Sequence, residues 1–185
     1  MSERAQTRTR MLESGAWLFR QRGLSGTAFA DVLEHSGAPR GSVYHHFPGG
    51  KEQFTAEATA YAGRFVAAAM RRMSGDVHAL VDAQVDLWIG LLHETDFTAG
   101  CPIAAAALEG TALPGARDAA GTSFEHWLRI VGGQLVDRGI PEEDSRKLAL
   151  ILLSSVEGAL VMCRACRSTE ALESVREHLH EVLDR

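Results

Sequence analysis

The chain has 185 residues and a mass of 20.0 kDa, room for one medium domain or a small domain joined to a larger one. Hydrophobic residues at 45% and charged residues at 23% exclude a disordered chain. The net charge of −5 is unevenly spread: Met1 to Gly75 holds ten Lys/Arg against six Asp/Glu, and Asp76 to Arg185 nine against eighteen. A basic front on an acidic body suits a chain whose front alone meets a polyanion, although a small basic excess also arises by chance.

The start, MSERAQTRTR, lacks the apolar stretch of a secretory signal. The most apolar run, Leu148 to Cys163, is interrupted by Glu157 and falls short of the ~20 residues that span a bilayer. A soluble, cytoplasmic protein with no membrane partner is expected. Three cysteines, Cys101, Cys163 and Cys166, cannot all pair within one chain, which suits a reducing compartment.

In chain order, nearly every periodic segment is predicted as helix. Ala5, Thr9, Leu12, Ala16 and Phe19 alternate spacings of four and three, one inward face of a first helix that Gly23 ends. Thr27 stands where an N-cap belongs before Phe29, Val32 and Leu33, and this short second helix stops near Ser36-Gly37. A third opens at Pro39-Arg40 and ends at Phe47, before Pro48-Gly49-Gly50. A fourth starts near Lys51 and carries Phe54, Ala58, Tyr61, Phe65 and Ala68 on one stripe.

Beyond Gly75 come four or five longer helices. They cover Asp76 to about Glu94, an Ala-rich stretch opened by Gly100-Cys101-Pro102, Gly115 to Asp137, Glu142 to Cys166, and a last helix with Leu172, Val175, Leu179 and Val182. No strand-like alternation and no repeat appears. The fold class is all-α, with eight or nine helices: a three-helix unit over 1–50 continuing into a linking helix 51–72, then a helical body over 76–185.

The helix Glu142–Cys166 carries two apolar stripes. One is Leu148, Leu152, Ser155, Ala159 and Met162; the other is Ala149, Leu153, Val156, Leu160 and Cys163. A helix apolar over so much of its circumference buries two faces, and a body of this size supplies one covering. A second subunit is the expected partner for the other, through Leu153, Val156, Leu160, Leu172, Val175 and Leu179. A central helix wrapped by its own neighbours is the alternative.

Thr27 to Phe54 reads TAFADVLEHSGAPRGSVYHHFPGGKEQF. A short helix, a Gly-containing turn at Ser36-Gly37-Ala38 and a second short helix match a helix-turn-helix. The second helix of such a pair is narrow enough to enter the roughly 12 Å major groove and reach base edges. Ser42-Val43-Tyr44-His45-His46-Phe47, then Pro48-Gly49-Gly50-Lys51-Glu52, with Gly23, Thr27 and Phe29 upstream, resembles the DNA-binding domain of the TetR family. The turn FPGGKE is one residue longer than that family's commonest form. Together with Gly100-Cys101-Pro102-Ile103 it resembles the LmrA/YxaF-like branch.

The resemblance implies a homodimeric regulator on a palindromic operator in double-stranded DNA, a repressor released by a small apolar or aromatic effector. It implies no enzymatic activity, cofactor or metal. Arg40 opens the recognition helix, where it can fork onto guanine O6 and N7 or contact a phosphate. Gly41 permits close approach, and Ser42 can donate to base or phosphate. By resemblance Tyr44 points its hydroxyl at a phosphate, His45 holds a base-reading position and His46 a phosphate-contacting one. Adjacent helical residues diverge by about 100°, so His45-His46 is not read as a metal pair. Thr27 and Lys51 sit at helix N-termini, where amides favour a phosphate. Val43 and Phe47 are core. Arg4, Arg8 and Arg10 either add backbone contacts or form a solvated face.

The resemblance also implies an effector pocket in the body. Its candidates are Trp88, Leu92, His93, Phe97, Cys101, Phe124, Trp127, Val131 and Met162, each more readily read as core than as a ligand contact. Catalysis finds no support, since neither a phosphate-cradling Gly loop nor a nucleophile elbow is present. Cys163 and Cys166 form a CxxC without a redox-fold context, and His178 and His180 are read as solvated. A helical protein-interaction module would leave the basic Thr27–Lys51 region without a reason.

Overall fold

A computed structural model describes residues 3–109 and 111–184. Among these residues there are nine helices and no strand: α1 (Glu3–Arg22), α2 (Phe29–Ser36), α3 (Ser42–His46), α4 (Gly50–Met70), α5 (Val77–Glu94), α6 (Pro102–Leu108), α7 (Pro114–Val136), α8 (Glu142–Cys166) and α9 (Glu170–Leu183). Two compact units result. The first takes the chain up to Val66 together with Pro102–Phe124, and the second takes Ala67–Cys101 with Glu125 onward. No linear boundary at residue 76 expresses that grouping.

The first unit is built around aromatic rings. Phe54 on α4 meets Phe47 at 5.0 Å, Phe29 at 5.3 Å and Phe19 at 6.0 Å between ring centroids. Phe19, Phe47 and Phe54 are buried, as are Leu12 and Ala16 on the expected face of α1. Ala5 lies outside that face, exposed. Gly15 lets α1 and α4 come together, because a Cβ there would stand 2.6 Å from the Phe54 ring. Gly23 ends α1 at φ 73°, the left-handed conformation that residues with a Cβ resist.

The start of α2 differs from expectation. Its N-cap is Ala28, and the Asp31 carboxylate accepts from the Ala28 amide at 2.7 Å. Thr27 lies one residue earlier and its hydroxyl donates to the Gly23 carbonyl at 2.8 Å. Asp31 at the third helical position satisfies the N-cap amide, and Thr27 closes the preceding turn.

In the second unit α5 packs on α8 and α9, and α8 on α9. Asp76 caps α5 by accepting from the Ala79 amide at 2.9 Å. Arg176 of α9 reaches Asp86 at 2.5 Å, Glu173 at 3.2 Å and Asp82 at 3.6 Å. His180, expected in solvent, is half-buried with its Nε2 3.1 Å from Asp82, whereas His178 is exposed as expected. Period alone places the two residues on diverging faces but does not say which one meets α5.

Helix α8 is long and apolar enough to cross a membrane by length and composition, with a mean hydropathy of 1.8. Packing within the chain explains part of that apolarity. Ala149, Leu152, Leu153, Val156, Ala159, Leu160 and Cys163 are all buried within the one chain. Leu153, Val156, Leu160, Leu172 and Leu179, expected at a subunit interface, are thus already covered, and Val175 is half-buried. Besides its acidic first turn, Arg146 and Cys166, α8 leaves exposed a third face of Lys147, Leu150, Ile151, Ser154, Gly158, Val161 and Ala165, together with Met162 from the first stripe. Two apolar stripes could be read from the sequence; the one assigned to a partner is the one the chain itself covers.

Candidate nucleic-acid interface

Helices α2 and α3 are joined through Gly37, at φ 64°, and the Ala38-Pro39-Arg40-Gly41 turn. Val43 and Phe47 anchor α3 from beneath, both buried as expected. The five-residue helix is shorter than the segment from Pro39 to Phe47 anticipated for it. Arg40 precedes it and Gly41 is its N-cap. The Pro39 carbonyl accepts from both the Ser42 amide, at 2.9 Å, and the Ser42 hydroxyl, at 2.6 Å, so the turn is held by residue 42 before the helix starts.

Three polar side chains stand off this scaffold. Arg40 and His45 are exposed, and Tyr44 is 74% exposed, so it is not a core aromatic. Lys51 is exposed on the first turn of α4. His46 is buried on the other side of α3, edge-on to His45 at 5.2 Å between centroids. Burial first, then the charges of His45, Arg4 and Arg8, hold its pKa below the ordinary histidine value, so it is neutral at pH 7. Arg4, Ala5, Arg8, His45 and His46 together line a shallow depression of about 270 Å³. Thr27 is not presented with these groups: it is 3% exposed and its hydroxyl is engaged within the chain.

The turn after α3 is fixed by a relay. The Gly49 amide donates to Gln53 Oε1 at 2.8 Å, Gln53 Nε2 donates to Glu57 Oε1 at 2.9 Å, and Arg8 donates to Glu57 Oε2. The Arg8 guanidinium also lies over the Phe47 ring at 5.1 Å. Arg8 is therefore neither a solvated face nor a free cation; it ties α1 to α4. Arg10 is exposed and donates to the Thr7 hydroxyl at 3.3 Å.

A second set of clamps was not visible in the sequence. Glu109, one residue past α6, accepts from the Leu24 amide at 2.9 Å and the Ser25 amide at 2.6 Å, holding the turn between α1 and α2. Burial alone would raise its pKa. Hydrogen bonds from Ser25 and Leu24 and the charge of Lys51 outweigh that and hold the carboxylate below its ordinary value. The Gly115 amide at the start of α7 likewise donates to Glu52 on α4 at 2.7 Å. A lone Glu at the end of an Ala-rich helix carries no signal of such a role; only the fold brings it to residue 24.

The candidate effector residues are placed differently from one another. Trp88, Leu92, Cys101, Trp127 and Val131 are buried in the second unit. Phe97 is half-buried, at the left-handed φ of 60°, and His93 is exposed. Phe124 belongs to the first unit. Met162 is 59% exposed and lines an open groove of about 580 Å³ between α8 and α9, which none of the other eight lines. Cys163 and Cys166 are unpaired, one buried and one exposed.

Comparison with known proteins agrees with this geometry at both ends of the chain. Residues 11–58 match the family model of bacterial regulatory proteins of the tetR family, and residues 78–178 match the C-terminal domain of LmrA/YxaF-like transcriptional regulators. An uncharacterized HTH-type transcriptional regulator of Mycobacterium tuberculosis is 41% identical over 182 residues, which cover 95% of this chain and 93% of that protein. The uncharacterized HTH-type regulator YxaF of Bacillus subtilis is 28% identical, with 97% and 96% covered. The crystal structure of a TetR transcriptional regulator from Chloroflexus aurantiacus superposes with a TM-score of 0.81 at 27% identity, covering 100% of this chain and 98% of that one. A helix-turn-helix with Arg40, Tyr44 and His45 exposed, on an all-helical body matched along most of its length, thus has one assignment: the chain belongs to the TetR family of DNA-binding transcriptional regulators, within its LmrA/YxaF-like branch, and is not an enzyme.

Proposed function

We propose that the protein is a homodimeric repressor that binds a palindromic operator in the cytoplasm and is released by a small effector held in its second unit. The observation that carries the DNA half is the division of labour on α3. Val43 and Phe47 are buried while Arg40, Tyr44 and His45 are exposed around them. A short helix fixed by its apolar side and bare on its polar side is what groove reading requires.

The dimer half draws on the stripe that α8 leaves uncovered. Ile151, Ser154, Gly158, Val161 and Ala165 recur at spacings of three and four, and Val161 and Met162 are 60% and 59% exposed. Small residues at 154, 158 and 165 let a second helix approach closely, and a Cβ built on Gly158 meets nothing within 4 Å. A second copy of α8 fits such a stripe, since a twofold axis through Gly158 makes the face self-complementary. Leu153, Val156 and Leu160 then support this helix from inside its own subunit. Gly158→Trp should convert the dimer to monomer in sedimentation without lowering helical content; an unchanged dimer sinks this face.

For the effector half, Trp88, Leu92, Cys101, Trp127 and Val131 supply buried apolar surface, and His93 and Met162 drop out as exposed. An effector that prefers the DNA-incompetent arrangement shifts the population away from the bound form. Operator binding is tested with the inverted repeat flanking the gene. Arg40→Ala is expected to cost about 1–3 kcal/mol and to relax the base preference. Lys51→Ala should weaken binding to every duplex and reduce the salt slope by about one. If both variants bind like the wild type, the reading surface lies elsewhere.

A further inference from the structure

The arginines that brace the second unit end on oxygen: Arg138 on backbone carbonyls, Arg146 on Glu125 and Arg167 on Asp96. Arg71, just past the end of α4, and Arg129, on α7, belong to the same unit and do not. Both are exposed, and neither meets a carboxylate or a carbonyl among the described residues. Their guanidinium groups close instead on one half-buried imidazole. Arg71 Nη2 stands 2.6 Å from His126 Nε2, and Arg129 Nη2 stands 3.2 Å from His126 Nδ1.

That arrangement is chemically incomplete. A neutral imidazole has one acceptor nitrogen, its other nitrogen carries a hydrogen, and a protonated ring has no acceptor at all. One guanidinium can therefore donate to the ring, while at the opposite edge an N–H faces an N–H. Burial first, then the charges of Arg71 and Arg129, hold the His126 pKa below the ordinary histidine value, so the ring is neutral at pH 7. The neighbouring acid, Glu125, is directed to Arg146 of α8 at 3.5 Å. Two positive charges thus flank one neutral ring with no counter-charge among the described residues.

An oxyanion resolves both defects. Its oxygens only accept, so one takes the free imidazole N–H while others take guanidinium N–H groups. We propose that Arg71, His126 and Arg129 form a binding site for a phosphoryl group, either free phosphate or a small phosphate monoester. Charge favours phosphate over a carboxylate, because two unpaired guanidinium charges balance a dianion and the planar fork of arginine matches phosphate oxygens. The three residues lie outside residues 11–58, which match the DNA-binding family model, and none is an effector candidate. The site is therefore independent of the operator and effector assignments.

The ring itself reports occupancy. Sodium phosphate at pH 7 is titrated into the full-length protein at constant ionic strength, with the His126 ring signals followed by proton–carbon NMR. Wild type should show a saturable shift with half-saturation at about 1–10 mM. Arg71→Gln and Arg129→Gln should each weaken binding by about tenfold. Arg117→Gln, which alters an exposed arginine paired with Asp118, should leave it unchanged. A response that never saturates, or equal affinity in all three variants, overturns the site. Sulfate, whose charge is constant between pH 5 and 9, should move the His126 pKa up toward the ordinary value as it fills the site. No movement would mean that the anion does not meet the ring, and the assignment fails. Acetate should bind about tenfold more weakly than phosphate, and equal binding removes the phosphoryl class. Phenyl phosphate separates the two sources: tighter binding than free phosphate marks a monoester site, and equal or weaker binding marks a site for phosphate itself. A loss of duplex affinity in Arg71→Gln and Arg129→Gln as large as that expected for Lys51→Ala would place operator phosphates on these groups and overturn the small-anion assignment.

Discussion

The two units differ in the carboxyl and carboxamide side chains they hold between helices, although Thr59 Oγ1 of the first unit is also buried without a partner among the described residues. In the first, the carboxylates and amides that bridge helices end on named partners: Glu109 on the Leu24 and Ser25 amides, Glu52 on the Gly115 amide, and Gln53 and Glu57 on Gly49 and Arg8. In the second, Gln84 and Glu157 hold atoms that no described residue meets. A DNA-reading head has to present one geometry to a rigid duplex, and satisfied polar clamps specify one geometry. If the second unit senses a ligand, as proposed, it has to leave part of its hydrogen-bonding capacity for a molecule that arrives, at a cost in stability.

The largest effect is expected at the aromatic centre of the first unit. Phe54→Ala removes the ring that Phe19, Phe29 and Phe47 all contact and opens a cavity under α3. The expected loss is about 3–5 kcal/mol, read from the midpoint of urea denaturation, with operator binding lost in parallel. A loss below about 1 kcal/mol would mean that polar clamps, not the rings, hold the reading head together.

Much of this head was legible in the sequence, because its signals are local. Gly23, Gly37 and the Pro48-Gly49-Gly50 turn punctuate the helices, Val43 and Phe47 face inward, and Tyr44 and His45 face out. The N-cap of α2 falls one residue after Thr27, at Ala28, whose amide donates to Asp31, while the Thr27 hydroxyl is engaged with the Gly23 carbonyl. What remained hidden depends on contacts between distant segments. Glu109 is 85 residues from Leu24, and nothing in an Ala-rich helix marks the carboxylate that will reach it. The face of α8 proposed for a partner is hidden for a different reason. A helix apolar over most of its circumference offers several stripes of equal period, and only packing shows that Leu153, Val156 and Leu160 are taken by the chain itself.

Glu109 gives the next largest effect and sharpens the contrast between clamped and orphaned groups. Glu109→Ala leaves two amides of the α1–α2 turn without an acceptor, a loss of about 1–2 kcal/mol after allowance for partial solvent screening. Operator affinity should fall by about tenfold while the second unit keeps its helical content. The folded-state pKa of Glu109 is depressed, so its contribution is fully present above the unfolded carboxylate value. It is lost as pH falls through the folded value, in the acid range below about pH 4.5. Wild type and Glu109→Ala should therefore differ in melting temperature at pH 7 and converge at pH 3. An equal gap at both pH values would show that the clamp does not act through the ionised carboxylate.

The smallest effect is expected where a polar contact is conspicuous but wet. Arg176 fans onto Asp82, Asp86 and Glu173 along the α5–α9 seam, the densest set of ion pairs in the second unit. Its acidic partners are more than a third exposed, Asp86 the most at 63%. Water and salt already stabilise those carboxylates, and holding a long guanidinium in one rotamer costs entropy. Arg176→Ala is expected to cost under about 1 kcal/mol, and the cost should shrink between 0.05 and 0.5 M NaCl as the pairs are screened. Gln84→Met, which replaces a fully buried amide without a hydrogen-bond partner among the described residues, should change the same unit by more and in the stabilising direction. That inversion, a visible ion-pair cluster worth less than one silent amide, follows from burial deciding how much a polar group weighs. If Arg176→Ala destabilises by more than Gln84→Met stabilises, the seam and not the interior governs the second unit, and the contrast drawn between the two units is wrong.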